Sequence, residues 1–259
     1  MRTLLRQEGF KLLKKKSTYL VTLVIIIIIL GQAFLGKIYP KAIPVKMFFT
    51  SSFGATTMVV FVLIAASATS LSMEFQYGTI KELIYQQYSR STILLSKWLI
   101  MFAYSLYLYI MTGIVALIGK VIFANNKFAL GDNDIYSNHL TFLQQWLSQM
   151  GSSFITLWLV LSVVFLFATL FKSSTVAVTA GIVGFFALNA IGILMFKVID
   201  KFHWFRWNPF NFLNYANQVT DPARQALTKL TNNQLLIGSL IYTVIFFGIG
   251  LTFFRKRNV

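Results

Sequence analysis

The chain contains no cysteine, so disulfides, thiol chemistry and cysteine-based metal sites are excluded together. Acidic residues are scarce, with 7 Asp and Glu against 23 Lys and Arg, and there are only 2 histidines and 4 prolines in 259 residues. His139 and His203 sit apart, and Asp132, Asp134 and Asp200 near them follow no helical ligand spacing, so neither a metal centre nor a general-base pair is legible. What replaces these groups is apolar: 57% of the residues are hydrophobic, 12% are charged, and mean hydropathy is +0.70. A soluble domain does not carry that balance.

The apolar residues fall into runs near the length of about 20 residues that a helical membrane span requires. Six such runs are present, at about Thr18–Leu35, Phe53–Met73, Leu94–Phe123, Gly151–Phe171, Ser174–Ile199 and Gln234–Phe254. None alternates as a barrel strand does. The expected fold class is therefore an all-α integral membrane protein with six transmembrane helices. Lys and Arg collect in the leader (Arg2, Arg6, Lys11, Lys14, Lys15, Lys16) and in the tail (Arg255, Lys256, Arg257), so both termini are expected in the cytosol. An even number of spans agrees, and it places the stretch from Glu74 to Lys97 and the turn at Lys172–Ser173 on the same side. The net charge of +16 is read as contact with anionic membrane lipids and not with nucleic acid, because no basic soluble domain is present.

The leader, residues 1–17, puts Met1, Leu4, Leu5 and Leu12 on one helical side with Phe10 and Leu13 off it, which predicts a cytosolic amphipathic helix on the membrane surface. No small-residue cleavage pattern follows the first apolar run, so residues 18–259 are expected to form one uncleaved six-helix domain. The stretch GQAFLGK from Gly31 to Lys37 has the glycine and lysine spacing of a phosphate loop. Ile38 stands where the hydroxyl is needed and no strand precedes it, so the match is attributed to chance. Lys120 and Lys197 lie near span ends, where their side chains reach water. The outer segment 200–233 gathers Trp204, Phe205, Trp207, Phe210, Phe212 and Tyr215 around Pro209, which reads as an interfacial aromatic belt, and Ser137–Met150 reads as a second outer segment lying along the surface.

The segment EFQYGTIKELIYQQYSRSTILLSK, Glu74 to Lys97, is the polar exception between two apolar runs. Ile80, Leu83, Ile84 and Gln87 share a helical side, while Lys81, Glu82, Tyr85 and Ser89 face elsewhere. Thr79 and Glu82 have the spacing of a capping box, and Gly78 supplies the preceding turn. A short amphipathic helix parallel to the membrane is expected.

Glu74, Gly78, Thr79, Lys81 and Leu83, followed by Ser89, Arg90, Ile93, Leu94 and Lys97, resemble the segment after the second span in ABC type-2 permeases, the membrane subunits of ATP-binding-cassette exporters. The likeness is specific in this insert and architectural over most of the chain, with one departure at Gln87–Tyr88, where the family often carries proline before the Ser-Arg pair. The resemblance implies a type V exporter-like fold in which 74–97 is a coupling-helix segment seated on a separate cytosolic ATPase, while 200–233 dips partly into the membrane. It implies two permease chains, identical or related, and two ATPase chains that bind the ATP and Mg, with no cofactor on this chain. Thr79, Lys81, Glu82, Leu83, Ile84 and Arg90 are then the expected ATPase interface, and Glu74 with Gly78 organises the inner end of the second span. Ser67, Thr69 and Ser70 belong to a small-residue run in the second span, and Asn189 in the fifth has Gly181, Gly184 and Gly192 around it. Both sets fit either helix packing, including a dimer axis, or the lining of a route. The resemblance implies export from a bacterial plasma membrane, and an apolar pathway without buried charge suits an amphipathic or hydrophobic cargo, such as an antimicrobial peptide, a bacteriocin or a lipid-like compound. The alternative is a membrane sensor or assembly protein that binds a cytosolic regulator without transport.

Overall fold

The computed structural model describes residues 1–133 and 140–257. Asp134, His139 and the start of the expected surface segment at Ser137 lie outside them. Helix α1 (Arg2–Lys14) ends where Lys15 takes an extended backbone (φ −73°, ψ 113°), and the first span, α2 (Lys16–Ile38), begins at once. A short α3 (Val45–Thr50) follows Pro44, which cannot continue a helix from before it. Ser52, Phe53 and Gly54 all have positive φ (52°, 55° and 73°), a conformation that costs the two non-glycine residues free energy. Tertiary contacts hold it: the Trp146 indole donates to Ser52 Oγ at 2.9 Å, the Ser52 hydroxyl reaches Met150 Sδ at 3.1 Å, and Phe49 stacks on Trp146 at 5.6 Å.

The second span, α4 (Ala55–Gln76), leads through α5 (Thr79–Tyr85) into α6 (Arg90–Phe123). At 34 residues α6 is about 51 Å long, well beyond the roughly 30 Å hydrocarbon core, so it tilts or projects from the bilayer. Helix α7 (Phe142–Leu170) starts with a complete capping box between Thr141 and Gln144. Phe142 to Met150 are thus the first turns of a span and not the separate surface segment expected there. After α8 (Ser174–Lys201) the chain runs through a 3-10 turn (His203–Trp207), α9 (Pro209–Phe212), α10 (Tyr215–Thr220), a second 3-10 turn (Pro222–Arg224) and α11 (Gln225–Thr228) to the last span, α12 (Asn232–Lys256). Among the described residues six helices are long and apolar enough to cross a membrane, as the runs predicted. Gly31–Lys37 lies inside α2, where the backbone N–H groups are committed to the helix and cannot cradle a phosphate.

Helix α7 is the centre of the bundle, packed on α12, α4 and α8, with α2 and α1 laid against α6. Close approaches fall on glycine: a Cβ on Gly181 would sit 2.8 Å from Ile64 Cγ2, which sets how tightly α8 lies on α4. Helix α8 buries least of the six, leaving Val183, Phe186, Ile193 and Leu194 exposed to the surroundings. Lys120 is buried at 5% exposure, unlike the water-seeking side chain expected. Its ammonium donates to Asn125 Oδ1 at 3.1 Å and lies 5.4 Å from the Phe128 ring, because the turn after α6 folds back over it.

The outer segment is divided in a way its aromatic composition does not show. Trp204 and Trp207 are exposed, whereas Phe212 and Tyr215 are buried. Phe212 fits against Gly238 of α12 and 5.3 Å from the Tyr242 ring, and the Tyr242 hydroxyl donates to the Trp207 carbonyl at 2.8 Å. Gly238 and Tyr242 are roughly 9 and 15 Å along the axis from the start of α12, so the segment descends between helices. Amide side chains satisfy its irregular backbone. Asn211 Nδ2 donates to the carbonyls of Arg206 (2.8 Å) and Thr228 (2.9 Å), and Gln218 Nε2 donates to Leu230 O (2.9 Å) and Asn232 Oδ1 (2.8 Å). A Cβ on Gly238 would lie 1.9 Å from a Phe212 ring carbon. We expect Gly238→Ala to destabilise the protein by about 1–3 kcal/mol, and Phe212→Leu added to it to recover part of the loss. Thermal unfolding followed by tryptophan fluorescence measures both; equal midpoints for wild type and Gly238→Ala would refute the packing.

Candidate functional site

The C-terminal end of α4 carries three consecutive side chains that each bind a different neighbour. Gln76 Oε1 accepts from the backbone N–H of Ser174 at 3.0 Å and from its hydroxyl at 2.6 Å, which joins α4 to the first turn of α8. The Phe75 ring meets Phe254 of α12 edge-on at 5.8 Å, and the Arg257 guanidinium covers it at 3.8 Å. Glu74, 7% exposed, is the centre of an ion cluster.

Lys97, eight positions into α6 and 2% exposed, places Nζ 2.9 Å from Glu8 Oε2 and 3.0 Å from Glu74 Oε1. Lys11 Nζ lies 3.0 Å from Glu8 Oε1 and 3.0 Å from Glu74 Oε1, and the Thr79 hydroxyl donates to Glu74 Oε2. Two cations and two carboxylates from α1, α4 and α6 thereby neutralise one another, and α5 is attached through its first residue. A buried ammonium is tolerable only with such partners, since removal of one leaves a charge that water does not reach. Burial works against the charge on Lys11. Its attraction to Glu8 and the hydrogen bonds to Glu74 and Glu8 outweigh that, and its pKa rises above the ordinary value, so it remains cationic.

Glu8 was not singled out by the sequence reading, which saw Leu4, Leu5 and Leu12 as an apolar side of the leader. Leu4 and Glu8 are the buried residues of α1, with Leu12 half-buried, so the carboxylate occupies the middle of the stripe that packs on α6. Met1, Phe10 and Leu13 are exposed. The Thr79–Glu82 capping box is not formed. Gly78, at φ 72°, is the N-cap of α5 and makes no side-chain cap bond, while Thr79 is taken by Glu74 and Glu82 is exposed. Gln87 does not share the buried side of Ile80, Leu83 and Ile84, because α5 ends at Tyr85 and Gln87 turns the chain at φ 61°. Ser89 caps α6 instead, accepting from the Thr92 N–H at 3.2 Å.

The other expected interface residues divide by environment. Lys81 and Glu82 are exposed, Tyr85 is 84% exposed, and their side chains form no hydrogen bond among the described residues. Leu83 is buried and Ile84 is packed against the core beside Ile80, which seats α5 on the bundle. Arg90 turns away from α5: its Nη1 donates to the carbonyls of Phe254 (3.4 Å), Arg255 (3.1 Å) and Arg257, at the negative end of α12. Arg257 serves the end of α7 likewise, donating to the Thr169 carbonyl and to that of Phe171 at 3.4 Å.

Within the spans, Ser67 is fully buried inside the chain, while Thr69 and Ser70 are half-buried and return their hydroxyls to carbonyls of α4 itself (Ala65 and Ser67) at 2.8 and 2.9 Å. Asn189 is half-buried, and its Nδ2 donates to the Phe185 carbonyl at 2.8 Å, one turn back in α8. A Cβ on Gly184 would meet the Phe167 ring of α7 at 3.3 Å, so this glycine is a packing contact within the chain. His203 begins the first outer turn, and Asp200 pairs with Lys229 at 3.3 Å, far along the chain from Asp132, which accepts from the Ala129 N–H.

Six candidate spans among the described residues, helix α1 bound to one end of them and a short helix tied between the second and third are the architecture of a multi-span membrane protein. Residues 4–189 match the model of the ABC-2 family transporter proteins, so the chain belongs to that family. It is also similar to the uncharacterized membrane protein YdbK of Bacillus subtilis (strain 168), with 29% identity over 201 residues, covering 76% of each chain. Members of the ABC-2 family are membrane subunits of transporters and normally work with an ATPase partner.

The burial contrast along α4 and α5 gives a direct test with one chemical change at two places. Glu74→Gln unbalances the buried cluster and is expected to cost about 3–5 kcal/mol, whereas Glu82→Gln stays within about 0.5 kcal/mol of wild type. Thermal unfolding in detergent compares them, and equal effects would show that Glu74 is not held as described.

Proposed function

We propose that the chain is the permease subunit of an ATP-driven exporter, and that α5 is the helix by which a cytosolic ATPase moves the spans. The observation that carries this reading is the two-sided character of α5. Its outer side offers Lys81, Glu82 and Tyr85 with no partner among the described residues, while Thr79, Ile80 and Leu83 fasten the other side to the bundle. A solvated connector needs no such anchorage; a docking helix must pass force inward. Both chain ends, α5 and the α7–α8 turn meet at one end of the bundle, which agrees with placing that end in the cytosol.

Two permease chains, identical or related, and two ATPase chains make the working unit in this reading, and the ATPase binds the ATP and Mg. The membrane is a bacterial plasma membrane. The cargo is amphipathic or hydrophobic, an antimicrobial peptide, a bacteriocin or a lipid-like compound, because the spans are apolar and their buried charges lie near the ends, with Glu8, Glu74 and Lys97 paired at one end and Lys120 bound to Asn125 at the other. Differential affinity for the cargo in the arrangements that ATP favours gives direction.

Affinity purification of the tagged chain from its native membrane, beside the variant Lys81→Ala/Glu82→Ala/Tyr85→Ala, tests docking. Arg90 is left intact because it holds α12. A Walker-motif ATPase identified by mass spectrometry is expected with the native chain and lost from the variant. If none accompanies the native chain in conditions that preserve membrane complexes, the exporter reading fails and a sensor that binds another cytosolic protein replaces it.

A further inference from the structure

We propose that Lys97 is a positioning residue that joins α1 and α5 into one mechanical unit, so that displacement of α5 also moves the surface helix α1. The ammonium stands at 2.9 and 3.0 Å from carboxylates on two different helices and is 2% exposed. Departure of either carboxylate takes away one of the two partners of the buried ammonium and leaves the cluster with an excess positive charge. The path outward from Lys97 is short in both directions. Through Glu74 it reaches the Thr79 hydroxyl, the first residue of α5, and through Glu8 it reaches the buried side of α1. Lys11 closes the loop by bridging Glu8 and Glu74 at 3.0 Å each, so α1 holds α4 directly as well as by way of α6.

The surrounding backbone lets α5 respond as a body. Gly78 at φ 72° precedes it and Gln87 at φ 61° follows it, two abrupt turns on either side of a seven-residue helix, and a Cβ on Gly78 would meet nothing within 4 Å. Helix α1 is likewise separated from α2 by the extended Lys15. Each is therefore a short rigid piece between breaks, and the ion cluster is the link common to both. A leader that served only to rest on lipid would gain nothing from a carboxylate on the side facing α6. Its exposed Phe10 and Leu13, with Lys14 5.6 Å from the Phe10 ring, remain available to the membrane surface.

The proposal takes its consequence from α5 as the docking helix, but the linkage is tested without any ATPase. Amide hydrogen exchange of the full chain in lipid nanodiscs compares wild type, Lys97→Met and Thr79→Val. In Lys97→Met, α1 and α5 are expected to lose protection together by about ten-fold or more, while α7 and α12 keep theirs. In Thr79→Val, which removes no charge, α5 alone loses protection. If Lys97→Met leaves either helix protected, or loosens α7 and α12 to the same degree, the linkage is refuted. Should that variant not insert, unchanged exchange of α5 in Thr79→Val refutes it. Failure to capture an ATPase would overturn the docking reading and leave these exchange results standing.

Discussion

A lysine ammonium buried to 2% exposure dictates the arrangement of everything around it. Lys97 sits on a helix whose other neighbours are apolar, so its charge is supportable only where carboxylates come to it, and the chain has few to send. Glu8 arrives on the surface helix and Glu74 on the second span. Once these are in place the turn between α4 and α6 has little freedom: its helix must begin where Thr79 can reach Glu74, and Ile80 and Leu83 then fall into the core. Electrostatic demand at one atom thus determines where four helices meet, and the apolar packing above it follows.

The outer end solves a different problem by different means. Between α8 and α12 the backbone is broken into short helices and turns, and each break frees N–H and C=O groups that lipid cannot satisfy. Neutral amides answer them: Asn211 and Gln218 reach carbonyls on segments distant in sequence, and Phe212 fills the notch left by Gly238. Ions play a small part there, in the Lys229–Asp200 pair and in the buried Lys120, whose ammonium is held by the neutral amide of Asn125. The molecule therefore has one end stitched by ions and another by amides and aromatic packing.

The spans were legible because hydropathy over about 20 residues averages out local detail, though polar first turns stayed hidden: the fourth span begins at Phe142, nine positions before the expected Gly151. The insert was recognisable by its polarity, but its internal contacts were not. Thr79 has a glutamate three positions ahead and another five behind, and local spacing favours the forward one as a cap; the structure chooses Glu74 because Lys97 and Lys11 have already drawn that carboxylate inward. Glu8 and Lys97 are 89 positions apart, a pairing that no periodicity encodes. A trace was present, however: Leu4, Glu8 and Leu12 recur every four residues, which places a carboxylate on the buried stripe of a helix and calls for a cation opposite. The resemblance of the insert implies Arg90 at the ATPase interface; within this chain its partners are carbonyls at the end of α12, a contact visible only once the last span returns beside the third.

The two arginines at helix ends carry a consequence of their own. Arg90 and Arg257 bind main-chain oxygens of α12 and α7 and spend no carboxylate in doing so. A carbonyl takes up no proton in water and cannot be neutralised, methylated or exchanged by substitution, since every residue supplies one. This part of the bundle end therefore keeps its hold across the whole range in which acids and histidines change charge, and the bonds to the carbonyls of 255 and 171 do not depend on which side chains stand there. The clamp depends on the guanidinium alone, so the tolerance of its partners concentrates the vulnerability in two side chains.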